Sequence, residues 1–109
     1  MDGTAMRVMY EVNLDLDASI AGDYRTWLEA HIREILALPG FIGARLAQVD
    51  EPAAPSGRVA LCVQYTLRDA AALDDYLRDH TPRLRAEGQA RFGGRFTARR
   101  RVMRVLGDY

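Results

Sequence analysis

From residue 7 to 15 apolar and polar side chains alternate. Val8, Tyr10, Val12 and Leu14 fall on one side, with Arg7, Met9, Glu11, Asn13 and Asp15 on the other. A period of two predicts a strand with unequal faces. Over residues 20–38 the period becomes helical, carried by Tyr24, Trp27, Leu28, His31, Ile32, Ile35, Leu36 and Leu38. Ser19 or Asp23 is expected to cap this helix, and Pro39-Gly40 to end it. Residues 41–49 read as a second strand and residues 50–57, rich in Pro, Ala and Gly, as a mobile hairpin loop. A third strand follows at 58–67, with Val59, Leu61, Val63, Tyr65 and Leu67 facing inward. The helix predicted over 68–79 rests on Ala72, Leu73, Tyr76 and Leu77. Thr81-Pro82 then breaks it, with Thr81 expected as a new cap, and a second piece runs to Phe92. Gly93-Gly94 turns the chain into a last strand over residues 95–106.

The chain also repeats itself. Val8, Tyr10 and Val12 return as Val63, Tyr65 and Leu67; Trp27-Leu28, His31 and Ile35 return as Tyr76-Leu77, His80 and Leu84; Phe41 and Arg45 return as Phe96 and Arg100. Strand, helix, strand, twice over, is the ferredoxin-like β-α-β-β-α-β plan. The expectation is an α+β fold: a four-stranded antiparallel sheet with two helices on one face. The 109 residues form one domain on this reading, with a core spanning about residues 6–106.

Two helices cover only one face of such a sheet. By strand parity the bare face should carry Met9, Glu11 and Asn13, then Phe41, Gly43, Arg45 and Ala47. The other two strands add Ala60, Cys62, Gln64 and Thr66, and Thr97, Arg99, Arg101 and Met103. Four strands present a flat area of about 350 Å². Phe and Met among polar groups suit a contact surface, so two sheets are expected to face each other in a homodimer that encloses a lined cavity. Arg45, Gln64, Arg99 and Arg101 are the candidate ligand-binding residues there. Guanidinium groups favour a small anionic or carbonyl-rich molecule. The competing reading is structural: a cross-strand ion pair of Glu11 with Arg99 or Arg101, since the first and last strands are neighbours in this plan.

Charge excludes some partners. Fifteen arginines balance fifteen acidic residues, and lysine is absent. Zero net charge leaves no electrostatic footprint for nucleic acid or for an anionic membrane. No run approaches the ~20 apolar residues of a membrane span. The opening Met1-Asp2-Gly3-Thr4-Ala5-Met6 lacks the pattern of a signal peptide, and the lone Cys62 suits a reducing compartment. A soluble cytoplasmic protein is expected.

The segments Val8-Met9-Tyr10-Glu11-Val12, Trp27-Leu28 with His31-Ile32, and Gly40-Phe41 with Ala44-Arg45-Leu46 carry a family resemblance. So do Val63-Gln64-Tyr65, Tyr76-Leu77 with His80 and Pro82-Arg83-Leu84, and Arg91-Phe92-Gly93-Gly94-Arg95-Phe96. Across about residues 6–104 the chain resembles a bacterial domain-of-unknown-function family of the dimeric α/β-barrel superfamily. The resemblance implies a ferredoxin-like fold and a dimer made through the sheets. It implies no single activity, because the superfamily holds cofactor-independent monooxygenases, haem-degrading enzymes, polyketide-processing enzymes and proteins without known catalysis. Haem-degrading members use an Asn on the first strand, a His on the second helix and a Trp. Asn13 and His80 match two of these places, but the only tryptophan, Trp27, stands on the first helix.

Candidate chemistry is sparse. His31 and His80 could act as general acid or base, yet their duplicated positions favour packing roles. Of the two, His80 is the stronger candidate, because it adjoins the Thr81-Pro82 break. Glu11, Asn13 and His80 complete the short list of catalytic candidates. His31 and Glu34 lack a third ligand nearby, so no metal is expected, and no motif calls for a cofactor. The third strand places Ala60 and Cys62 where RNA-recognition domains place stacking aromatics, which argues against RNA binding. Two function classes remain: a sheet-face dimerisation or interaction module, and a cofactor-independent enzyme or binding protein, monooxygenase-like or polyketide-processing-like, that takes a small anionic or aromatic ligand in the cavity between the sheets.

Overall fold

The computed structural model describes residues 6–109. The reading of the opening residues as free of a signal peptide falls largely on 1–5, outside that range. The chain runs β1 (Val8–Asp17), a 3-10 turn (Ala18–Ile20), α1 (Ala21–Leu36), β2 (Phe41–Gln48) and β3 (Arg58–Leu67). It continues as α2 (Ala70–Asp79), α3 (Thr81–Phe92), a second 3-10 turn (Gly93–Arg95) and β4 (Phe96–Arg104). The sheet order is β2-β3-β1-β4, and every neighbouring pair is antiparallel. This is the ferredoxin-like arrangement read from the repeat. No helix among the described residues is long and apolar enough to cross a membrane.

Local chemistry sets the element ends. The Asp17 carboxylate, rather than Ser19 or Asp23, caps the turn before α1, accepting from the Ser19 amide at 2.9 Å and its hydroxyl at 2.8 Å. Asp69 caps α2 through the Ala72 amide at 2.8 Å. Between α2 and α3 the cap position belongs to His80, which has left the helical region, and the Thr81 hydroxyl instead donates back to the Tyr76 carbonyl at 3.2 Å. Pro82 lies in the first turn of α3, where its missing N–H costs nothing.

The core lies between the sheet and the helices. Val8, Tyr10, Leu14, Leu16, Leu61, Val63, Tyr65 and Leu67 meet Tyr24, Leu28, Ile35, Leu73, Tyr76, Leu84 and Phe92 there, all buried. Arg83 ties the helices together outside, reaching Glu34 on α1 at 3.2 Å and Glu87 on α3 at 2.8 Å.

One residue expected on the bare face is elsewhere. Phe41 packs edge-on against Tyr65 and Tyr76 on the helix side, with ring centroids 5.7 and 5.1 Å apart. The cause is a register shift in β2, where Phe41 pairs with Leu67 and Gly43 with Thr66. Ile42 is the extra residue, and it reverses the parity of the strand before it. Gly43, Arg45 and Ala47 lie opposite Thr66, Gln64 and Cys62, as expected for the bare face.

Candidate functional site

The bare face gathers the candidates named from sequence around one carboxylate. Register sets Glu11 on β1 between Gln64 on β3 and Arg101 on β4. Its oxygens accept from Gln64 Nε2 at 2.9 Å, Asn13 Nδ2 at 2.9 Å and Arg101 Nε at 2.5 Å. Although no helix covers this face, Glu11 is only 3% exposed, because these side chains close over it. Hydrogen bonds, first from Arg101 and then from Gln64 and Asn13, lower its pKa to about 2. The cross-strand ion pair therefore forms with Arg101, whereas Arg99 stays exposed opposite Asn13. Burial and the neighbouring Glu11 carboxylate push the Cys62 thiol up, so it is no activated nucleophile. A carboxylate held this firmly by three donors serves poorly as a proton acceptor at neutral pH. Arg45 and Gln64 border a wide, open depression of about 580 Å³ at one end of the bare face.

A more enclosed cavity, about 270 Å³, lies on the other side of the sheet, beneath the helices. Tyr10, Val12, Val63 and Tyr65 form its floor, Tyr24, Trp27, Leu28 and His31 of α1 one wall, and Thr81, Leu84, Arg85, Gly88 and Gln89 of α3 another. Phe96, Ala98 and Arg100 of β4 complete it. The rings form a connected set: Trp27 meets Tyr24 edge-on at 5.5 Å, and Tyr24 leans on Phe92 at 4.7 Å and Phe96 at 5.1 Å. Burial raises the Tyr24 phenol to about 12 and pushes Tyr65 up further, so both hydroxyls keep their protons.

His31 is the polar feature of this wall. Its ring stacks on Trp27, with centroids 4.5 Å apart and planes 20° from parallel. The buried Nδ1 has no hydrogen-bond partner. Burial lowers its pKa against the opposing pull of Glu34 and Glu87, leaving a neutral imidazole with one lone pair and one N–H to offer. His31, Glu34 and Glu87 place their ligand atoms within 4.8 Å of one another, but the Arg83 guanidinium already spans both carboxylates. His80 does not line this cavity; its ring lies 6.4 Å from Tyr76. Of the two histidines the fold thus brings His31 to the cavity, on the same wall as the tryptophan. The signal in the sequence was the Trp27-to-His31 spacing of one helical turn.

Several solved structures share the fold. One is the cofactor-independent oxygenase SnoaB from Streptomyces nogalater, 11% identical, TM-score 0.64, over 95% of this chain and 97% of that one. Another is a conserved protein from Methanosarcina mazei Go1, 15% identical, TM-score 0.68, over 93% and 94%. The designed protein Foldit4 aligns as well, 11% identical with TM-score 0.64 over 89% and 96%. An oxygenase and a designed chain on one backbone plan show that the fold carries no activity by itself. No curated protein matches the sequence. The model of one family does match, from residue 7 to 106, and on that match the chain belongs to the family described as a domain of unknown function, DUF4286.

Proposed function

We propose that this protein binds a small planar aromatic molecule in the cavity between its sheet and its helices, and does so as a homodimer joined through the bare sheet faces. The observation that carries the binding reading is the cavity of about 270 Å³ itself, walled by Trp27, Tyr24 and Tyr65 with the half-buried imidazole of His31 among them. An apolar cavity of about 150 Å³ admits benzene, so about 270 Å³ suits one or two fused rings. Neutral His31 would be the group to exchange a proton with such a ligand, which keeps an enzymatic role open to this site.

Trp27 is the sole tryptophan and lines the cavity, so its fluorescence reports this site alone. Titration with one- and two-ring aromatic compounds is expected to change that emission saturably. Ala98→Phe, which fills the cavity from β4, should abolish the response while leaving the circular dichroism of the fold intact. Emission unmoved by the whole panel would remove the binding reading.

The dimer reading rests on the relief of the bare face. Around Arg45 and Gln64, the small residues Gly43, Ala47, Ala60, Cys62 and Thr66 make its β2–β3 half low, whereas Arg99, Arg101 and Met103 make its β4 edge high. A twofold axis sets the low half of one copy against the high edge of the other, the self-complementarity a closed dimer requires. Light scattering should give twice the 12.2 kDa of the chain; the mass of one chain at micromolar concentration would reject it.

A further inference from the structure

The charged groups of the cavity are all of one sign. Its lining contains Arg85 from α3 and Arg100 from β4, and no carboxylate. Neither arginine forms an ion pair among the described residues, although their sequence neighbours do: Arg83 holds Glu34 and Glu87, and Arg101 holds Glu11. Both guanidinium groups act on the same buried phenol, Tyr76, favouring its ionised form against a dominant burial effect. Both line the one cavity, Arg85 from α3 and Arg100 from β4.

Arg100 reaches this place through a detail of the strands. Phe41 and Arg45 in the first half of the chain match Phe96 and Arg100 in the second. In β2 the extra residue Ile42 turns Arg45 out to the bare face while Phe41 stays on the helix side. β4 pairs with β1 without interruption, so Phe96, Ala98 and Arg100 all face the helices, with Arg100 opposite Val12. Arg100 thus stands between Ala98 and Val102 on the helix-side row of β4.

Two cations without an acidic partner among the described residues, beside a low-dielectric aromatic interior, concentrate the field on an anion at the mouth. A carboxylate matches paired guanidinium groups in both charge and planar geometry. We infer that the ligand is an aromatic carboxylate, its ring between Trp27 and the tyrosines and its carboxylate held by Arg85 and Arg100. This rests on the aromatic-binding reading above and adds the anionic group.

Calorimetry on the full chain with matched pairs tests it: benzoate and benzamide, 1-naphthoate and 1-naphthamide. Each acid and its amide share a ring and nearly a shape, and differ in charge. At least one acid is expected to bind about tenfold or more tightly than its amide, with affinity falling as salt rises. In the Arg85→Gln, Arg100→Gln double variant the acid should lose its advantage and bind no more tightly than the amide binds the same variant. Both positions are exposed, so the variant is expected to fold. Equal affinity of acid and amide in the parent chain, or an acid preference that survives the double substitution, would overturn the anionic assignment and leave aromatic binding standing. No binding by any of the four compounds would overturn both.

Discussion

Gly40→Ala is expected to destabilise the protein by about 2–5 kcal/mol. Gly40 joins α1 to β2 with φ at +87°, in the left-handed region where a side chain is strained. A methyl group there would also stand 2.4 Å from the Ala72 Cβ on α2, a contact that neither backbone can relieve by rotating a side chain. The same turn supplies the carbonyl that accepts from the Arg68 amide at 2.9 Å, so a shift at residue 40 carries into the start of the second helix. Gly57 separates the two causes. Its φ is +81°, but a Cβ there meets nothing within 4 Å. Gly57→Ala should therefore cost only the backbone strain, about 1 kcal/mol. Urea denaturation of both variants checks this, and equal midpoints would show that the Ala72 contact is unimportant.

The second large effect concerns acid stability. Glu11 titrates near 2 in the folded chain, below its ordinary 4.5, so folding favours its ionised form. The resulting stabilisation is complete above about pH 5 and is lost as pH falls from 4.5 through 2. The full shift corresponds to about 3 kcal/mol. Arg101 is 66% exposed and water screens that bond, which reduces the expected loss to about 1–2 kcal/mol. Glu11→Gln should lower stability at pH 7 by a similar amount and flatten the slope between pH 5 and 2. Because Glu11 lies on the face assigned to the dimer, the comparison holds protein concentration fixed. An unchanged slope in the variant would place the acid sensitivity on other carboxylates.

Much of this was legible from alternation alone. The parity of β1, β3 and β4 placed Glu11, Gln64 and Arg101 on one face, and antiparallel neighbours made their meeting geometrically easy. The extra residue in β2 was not legible, since Phe41-Ile42-Gly43 reads equally as regular strand. The misplacement of Phe41 follows directly from it. The burial of Glu11 on an uncovered face was hidden too, because it depends on three side chains folding over a fourth. The cavity beneath the helices was not legible either: polarity pointed only to the space between two facing sheets, and this one follows from how the volumes of Trp27, Gly88 and Ala98 fill the space between layers. Periodicity reports which side a residue faces and is silent on whether that side is filled.

The cavity and the bare face carry different reporters, and nuclear magnetic resonance reads both at once. The indole N–H of Trp27 and the side-chain amide of Gln89 belong to the cavity. The side-chain amides of Asn13 and Gln64 belong to the Glu11 network. Adding 1-naphthoate to the nitrogen-labelled chain should move the first pair of signals in a saturable way and leave the second pair in place. Movement confined to Asn13 and Gln64 would put the ligand on the sheet surface and contradict the central claim.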